Sequence, residues 1–248
     1  MAFKYNYAIF CRVPNSLKGN PAEARREHEN LIDVLRKCEI KPIIMEETED
    51  YPECPFVGDC AVVIGGTALI TRPAVQSRQG ETKEVRRVLK QDLKLKINEI
   101  LDADATVDGG DVLFTGKEIF VGVRANGTNT AGAKCVQDAF PEYYVTPIFM
   151  DPSVSGNRHL KDMVNMAGRD IMAVGNSPAA QKVFKQMKSL AQYSYRILHL
   201  ESDTASDMLY VNNRLVHRTR EEIGEKSYSV SLHLRPFGTL KDKSFRCV

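Results

Sequence analysis

Glu53, Asp59, Arg78, Asp108, His159 and Cys247 are the residues of this chain whose types could do chemistry together. Asp108 stands in Asp104-Ala-Thr-Val-Asp-Gly-Gly-Asp-Val-Leu-Phe-Thr-Gly116, where Asp108 and Asp111 flank a glycine pair that leads into an apolar run. Glycine pairs permit sharp turns and close backbone approach. An acid at the start of a buried strand is costly unless partnered. Read alone, the motif is equally a polar turn. Read together, the six groups suit attack on a guanidinium. Such a substrate is planar and cationic, and carboxylates hold it in two-pronged geometry. Its carbon, bonded to three nitrogens, is a poor electrophile and calls for a thiolate. A free thiol ionises at about pH 8.5, so a cation, the bound substrate or a protonated histidine must activate it. A histidine would then protonate the leaving amine and activate water, with an acid behind it to fix its tautomer.

Groups so far apart in sequence need a scaffold that gathers them. The chain repeats a short apolar strand, a polar loop and an amphipathic helix. Residues 7–12 read as a strand and 22–37 as a helix, with Ala24, His28, Leu31, Ile32 and Leu35 on one face at helical spacing. The pattern returns at 67–72 with a helix at 81–91, at 119–124 with a helix at 131–140, and at 170–175 with a helix at 179–190. Ser177-Pro178 is a cap followed by proline in the first turn. A weaker fifth unit has a strand at 215–218 and a helix opened by Thr219 with capping-box spacing to Glu222. Second extended stretches lie at 41–45 and 144–149. A period of about 50 residues calls for a repeat architecture; the helices exclude an all-β kelch propeller. Five α/β units closing on themselves would set their strand ends around a central channel. No Pro-, Gly- or Ser-rich linker divides the chain, so residues 1–248 read as one domain, with the tail 231–248 the least defined part.

Composition narrows the function. Charged residues make up 27% and hydrophobic ones 43%, as in ordinary globular proteins, and the net charge is +2. Nothing points to nucleic acid or an anionic membrane. No apolar run reaches the roughly 20 residues of a membrane span, and the opening residues lack the apolar core of a secretion signal. Six cysteines without a CxxC pair argue against a zinc ribbon and for reduced thiols in a cytoplasmic protein. Cys60 reads as a small buried hydrophobe. His28, His199, His217 and His233 read as structural.

Several blocks carry a resemblance: Pro52-Glu-Cys-Pro-Phe-Val-Gly-Asp59, Thr67-Ala-Leu-Ile-Thr-Arg-Pro73, Ser77-Arg78, residues 105–116, Phe120-Val-Gly122, His159-Leu-Lys161 and Met166-Ala-Gly168. From about residue 5 to about 220 the chain resembles the dimethylarginine dimethylaminohydrolases. The resemblance implies the five-bladed α/β-propeller of the guanidino-modifying enzymes, the pentein fold. It implies hydrolysis of asymmetric dimethylarginine and monomethylarginine to citrulline and methylamines, which relieves inhibition of nitric-oxide synthase. By the same resemblance Asp59 binds the guanidinium, Arg78 pairs with the substrate carboxylate, His159 is general acid and base, Asp108 orients it, and Cys247 is the nucleophile. Asp111 reads as a stitch for the turn. No cofactor is implied, and zinc would act as an inhibitor on Cys247 and His159. The partner is a small molecule, and the protein is a monomer or weak homodimer.

The chain also departs from the family pattern. Gly58 replaces one of two adjacent acids, and Glu53 stands where an aspartate contacts substrate. Arg124, in Arg124-Ala-Asn-Gly-Thr-Asn129, is the candidate for a second substrate-binding arginine in a rearranged loop. The lid at 13–21 is short, and Cys247 is penultimate in an altered tail. These departures keep two alternatives in view: a paralogue that binds arginine derivatives without turnover, and a related arginine or agmatine deiminase.

Overall fold

The computed structural model describes residues 2–156 and 158–233; Cys247 lies outside them. Among the described residues, β1 (Tyr7–Cys11) leads to α1 (Pro21–Lys37) and to β2 (Lys41–Met45), parallel to β1. Asn20 caps α1 by accepting from the Glu23 N–H, and Pro21 takes the first position, where its missing N–H costs nothing. The second unit is the hairpin β3 (Ala61–Ile64) and β4 (Thr67–Ile70), then the helix α2 (Thr82–Arg87), then β5 (Lys96–Glu99) parallel to β4. The third repeats this with β6 (Val112–Phe114), β7 (Ile119–Val123), α3 (Thr130–Ala139) and β8 (Val145–Phe149). A short α4 (Pro152–Ser155) precedes the fourth: β9 (Val164–Gly168), β10 (Ile171–Val174), α5 (Pro178–Leu190) and β11 (Arg196–His199). After α6 (Asp203–Ser206) the fifth has the hairpin β12 (Met208–Val211) and β13 (Arg214–His217), followed by α7 (Arg220–Ile223) and α8 (Glu225–His233).

The α/β repeat expected from sequence is present, with one addition. Units two to five each open on an inner strand that periodicity did not separate from its surroundings. These strands are three to five residues long, largely buried, and read as apolar runs without alternation. The hairpin turns use left-handed residues: Gly65 (φ 59°), Gly116 (φ 88°), Asp170 (φ 60°), and Asn212 with Asn213 (φ 48° and 62°). Tight hairpins need positive φ in the turn to match strand twist. The helix expected at 81–91 is a composite, a 3₁₀ stretch at Gln76–Glu81, then α2, then a π turn at Val88–Asp92.

Apolar clusters sit at the junctions between neighbouring units. Cys11 and Met45 pack with Cys60, Ala68 and Val85 between units one and two. Val62 and Leu69 meet Val112 and Val121 at the next junction, Leu113 and Phe120 meet Val164 and Met172, and Ala167 and Ala173 meet Met208 and Leu215. The fifth cluster joins Phe10, Ile32 and Leu35 of unit one to Val211 and Val216 of unit five. The units therefore form a ring. Asn212 reinforces the closing seam: its side chain accepts from the Tyr5 N–H at 2.8 Å and donates to the carbonyls of Tyr5 and Cys38 at 2.9 Å each. No helix among the described residues is long and apolar enough to cross a membrane.

Two histidines make the fold acid-sensitive. His28 packs edge-on against Phe10 at 5.2 Å, and the Nε2 atoms of His28 and His217 are buried without a hydrogen-bond partner. Burial lowers both pKa values, against the charge of Glu29 for His28 and a bond to the Arg218 carbonyl for His217. The unfolded chain binds the proton first, at about pH 6.5. Their contribution is thus complete above that pH and falls away below it, as pH drops toward the folded values. Urea unfolding at pH 8 and pH 5.5 will show His28→Leu gaining stability relative to the unsubstituted chain at pH 5.5 beyond any change at pH 8.

Candidate active site

The repeat explains how distant residues meet. In units two, three and four a single 3₁₀ turn precedes the inner strand: Val57–Asp59 before β3, Gly109–Asp111 before β6, and Leu160–Asp162 before β9. Asp59 ends the first turn, Asp111 ends the second, and His159 caps the third. In unit five, α6 holds the same place and Asp207 follows it. Equivalent positions of neighbouring units thus aim these side chains at one point.

The glycine pair is needed for that convergence. A Cβ on Gly109 would lie 2.0 Å from the Gly58 carbonyl oxygen. One on Gly110 would lie 2.7 Å from His159 Cγ and 2.8 Å from Asp59 Oδ1. With no side chain there, the Gly110 N–H reaches Asp59 Oδ1 at 2.9 Å.

Asp111 is the central group. It has no exposure to solvent, and four donors surround it. Oδ1 lies 3.2 Å from His159 Nδ1 and accepts from the Leu160 N–H at 3.2 Å. Oδ2 accepts from Arg124 Nε at 2.9 Å and Thr128 Oγ1 at 2.8 Å. Burial alone would raise its pKa; the His159 bond and charge, with Arg124 and Thr128, lower it below the ordinary value. A carboxylate only accepts, so this contact puts a proton on His159 Nδ1. Nε2 is left facing the pocket, 4.0 Å from Asp59 Oδ2. Burial lowers the His159 pKa, but Asp111 and the charge of Asp59 outweigh burial and the opposing Arg124, for a net rise. The Asp162 carboxylate accepts from the His159 backbone N–H at 2.7 Å and fixes the turn.

Two expectations about individual residues change. Asp108, expected behind His159, instead accepts from Arg124 Nη2 at 2.7 Å, and Asp111 takes the place on the imidazole. The 3₁₀ turn rotates the second acid of the motif, not the first, toward His159. Burial raises the Asp108 pKa, against Arg124 and with help from Asp111 and Asp59. Arg124, expected to face substrate, has a side chain only 8% exposed and bridges Asp108 and Asp111 behind the histidine.

Arg78 meets three acids: Glu53 through Nε at 3.1 Å, Asp59 through Nη1 at 2.9 Å, and Glu81 through Nη2 at 2.9 Å. Its contact with a substrate carboxylate therefore competes with acids already in place. Burial raises the Glu81 pKa against the pull of Arg78. Glu53 is the most open of the three, its side chain 48% exposed.

These groups open on a cavity of about 520 Å³ lined by Glu53, Asp59, Arg78, His159, Asp162 and Asp207, with Gly58 and Gly110 in its wall. A Cβ at Gly58 would meet no atom within 4 Å, so the place of the missing acid is open space. A second cavity, of about 190 Å³ along the inner strands, shares Lys161, Asn165, Met208 and Leu209 with the first, which places the site at one end of the axial channel. Asp111, Glu81, Asp162 and Asp207 were not expected as site residues. Glu81, three residues after Arg78, and Asp162, three after His159, carried a spacing signal; the pairing of Asp207 with Arg218 at 2.6 Å carried none. Asp108, Asp111 and His159 have ligand atoms within 4.8 Å of one another, but the Arg124 guanidinium already supplies the positive charge between the two acids.

Asp111→Asn will lower the His159 pKa, followed by NMR titration, more than Asp108→Asn does. Arg124→Met strands two buried acids and will destabilise the fold by about 3–5 kcal/mol in urea unfolding.

The comparisons agree with this geometry. The family described as N,N dimethylarginine dimethylhydrolase, eukaryotic, matches residues 10–223. The human protein DDAH2 is 42% identical over 218 residues, covering 83% of this chain and 74% of that one. The N(G),N(G)-dimethylarginine dimethylaminohydrolase of Pseudomonas aeruginosa is 25% identical over 233 residues, 88% of this chain and 85% of that one. A Pseudomonas aeruginosa structure complexed with citrulline superposes with a TM-score of 0.79 at 18% identity, over 98% of this chain and 93% of that one, and shows the shared fold. Sequence and architecture together establish that the chain belongs to the eukaryotic dimethylarginine dimethylaminohydrolase family.

Proposed function

We propose that this protein hydrolyses N-omega-methylated arginines to citrulline and methylamines. The observation that carries the reading is the placement of His159 Nε2 across from Asp59 in an acid-lined cavity, with Nδ1 held by Asp111. The lining acids Glu53, Asp59, Asp162 and Asp207 favour a cationic substrate over a neutral or anionic one. The guanidinium lies against Asp59, and the substrate carboxylate exchanges with the half-exposed Glu53 on Arg78. Family membership supports the same reaction, as does citrulline in the complex of the bacterial relative.

In the proposed cycle the Cys247 thiolate attacks the guanidino carbon. Protonated His159 gives its Nε2 proton to the departing methylamine, leaving a covalent thiouronium. Neutral His159 then takes a proton from water as the water adds to the same carbon, and collapse expels the thiolate and citrulline. Asp111 holds the imidazole throughout, and Arg124 with Asp108 holds Asp111. The cycle needs no metal or organic cofactor, and zinc would inhibit by bridging Cys247 and His159. The same reading makes residues 1–248 one domain, cytoplasmic, acting on a small molecule as a monomer or weak homodimer.

Citrulline release from asymmetric dimethylarginine by the purified protein tests this. His159→Ala and Cys247→Ser will each lower kcat by at least about 100-fold while ligand binding persists. Gly110→Ala, whose methyl overlaps His159 and Asp59, will lower kcat without breaking any ion pair. Tight binding of dimethylarginine with no citrulline from the unsubstituted protein would overturn hydrolysis in favour of a binding role.

A further inference from the structure

The cysteines between units one and two lie beside the site yet take no part in the chemistry above. Cys11 ends β1, and Cys54 directly follows Glu53. Both are buried, 3% and 7% exposed, and their thiols share a hydrogen bond. Cys11 Sγ also lies 3.4 Å from the Glu46 carbonyl oxygen, and Cys54 Sγ 3.8 Å from that of Arg12. The segments that bear them are held in register. The Arg12 N–H donates to the Met45 carbonyl at 3.0 Å, and Glu49 accepts from the backbone N–H groups of Asn15 at 2.9 Å and Ser16 at 2.8 Å. The sulfurs therefore face each other across a gap that a covalent S–S bond of about 2.05 Å can close by side-chain rotation and a small loop movement.

The pair is asymmetric. The Cys11 thiol donates to Cys54, and the backbone N–H of Thr48 donates as well; together they bring the Cys54 pKa down to about 7 against its burial. The same shared bond, with burial, raises Cys11. Burial pushes nearby Cys60 up to about 12. Cys54 is thus the thiolate of the group and Cys11 its neighbouring thiol, the arrangement of an attacking and a resolving cysteine.

We propose that Cys11 and Cys54 form a peroxide-sensitive modification site that closes to a disulfide and ties the loop bearing Glu53 to the end of β1. The Cys54 thiolate attacks one oxygen of hydrogen peroxide; the S–O bond forms, the O–O bond breaks, and the departing hydroxide takes a proton to leave as water. The Cys11 sulfur then attacks the Cys54 sulfenic acid; the S–S bond forms, the S–O bond breaks, and the hydroxyl leaves with the Cys11 proton as a second water. Two thiols are oxidised by two electrons, and one peroxide is reduced to two waters. Glu53, adjacent to Cys54 and 3.1 Å from Arg78 Nε, puts the crosslink at the rim of the pocket.

The test is to treat the reduced full-length protein with one to a few equivalents of hydrogen peroxide at neutral pH, alkylate the remaining thiols and map the peptides without reduction. The expected product is the Cys11 peptide joined to the Cys54 peptide, two hydrogens lighter than their sum and separated by dithiothreitol. In Cys11→Ser the expected product is a dimedone adduct on Cys54. Recovery of Cys11 and Cys54 as free thiols while Cys38, Cys60 or Cys135 is oxidised would overturn the proposal, as would a bond from Cys54 to any other cysteine. Should Cys11→Ser fail to fold, the map of the unsubstituted chain decides alone.

Discussion

A fully buried carboxylate cannot stay ionised without donors on every lone pair, and Asp111 meets that condition only because two units supply them. Arg124 and Thr128 come from the segment after β7; His159 and the Leu160 N–H come from the turn before β9. The requirement works in both directions. The charge of Asp111 fixes one imidazole nitrogen, and the imidazole helps keep Asp111 ionised. The pose of His159 is therefore tied to the seam between units three and four, where Leu113 and Phe120 pack against Val164 and Met172. Packing sets the distance between the units, and the ion network sets the orientation of the side chains across it.

Repetition supplies the rest of the site. The helical turn before each inner strand points to the ring axis, so Asp59, Asp111, His159 and Asp207 converge from equivalent places in four units. The same convergence would pile up negative charge without a counterweight. Arg78 provides it on one side through Glu53, Asp59 and Glu81, and Arg124 on the other through Asp108 and Asp111. Two arginines thus partition the acids into a set that faces the cavity and a set that stands behind the histidine.

Much of this was legible in the residues. Helix starts at Asn20-Pro21 and Ser177-Pro178 are local signals with local causes, and the structure has those caps. The period of the units came from apolar patterning. The inner strands did not, because a three-residue strand such as Val112–Phe114, buried on most of its surface, has no alternation to read. The candidate groups Asp59, Arg78 and His159 do lie together. The division of labour between Asp108 and Asp111 was hidden because it depends on the rotation of one 3₁₀ turn, and no residue type or spacing encodes which of two acids flanking a glycine pair will point inward. Arg124 was misread for a related reason: a buried arginine and a substrate-facing one look alike until the acids around it are located.

The junction of the first and fifth units has a kinetic corollary. Phe10, Ile32 and Leu35 are covered by Val211 and Val216, so a nascent chain that has already made β1, α1 and β2 must wait for β13 to emerge from the ribosome. At about 5–20 residues per second the interval from Met45 to Val216 is roughly 10–35 s. During that time the apolar stripe of the first helix is left for chaperones or premature partners to find, and closure comes as a late, long-range event of the kind that slows folding.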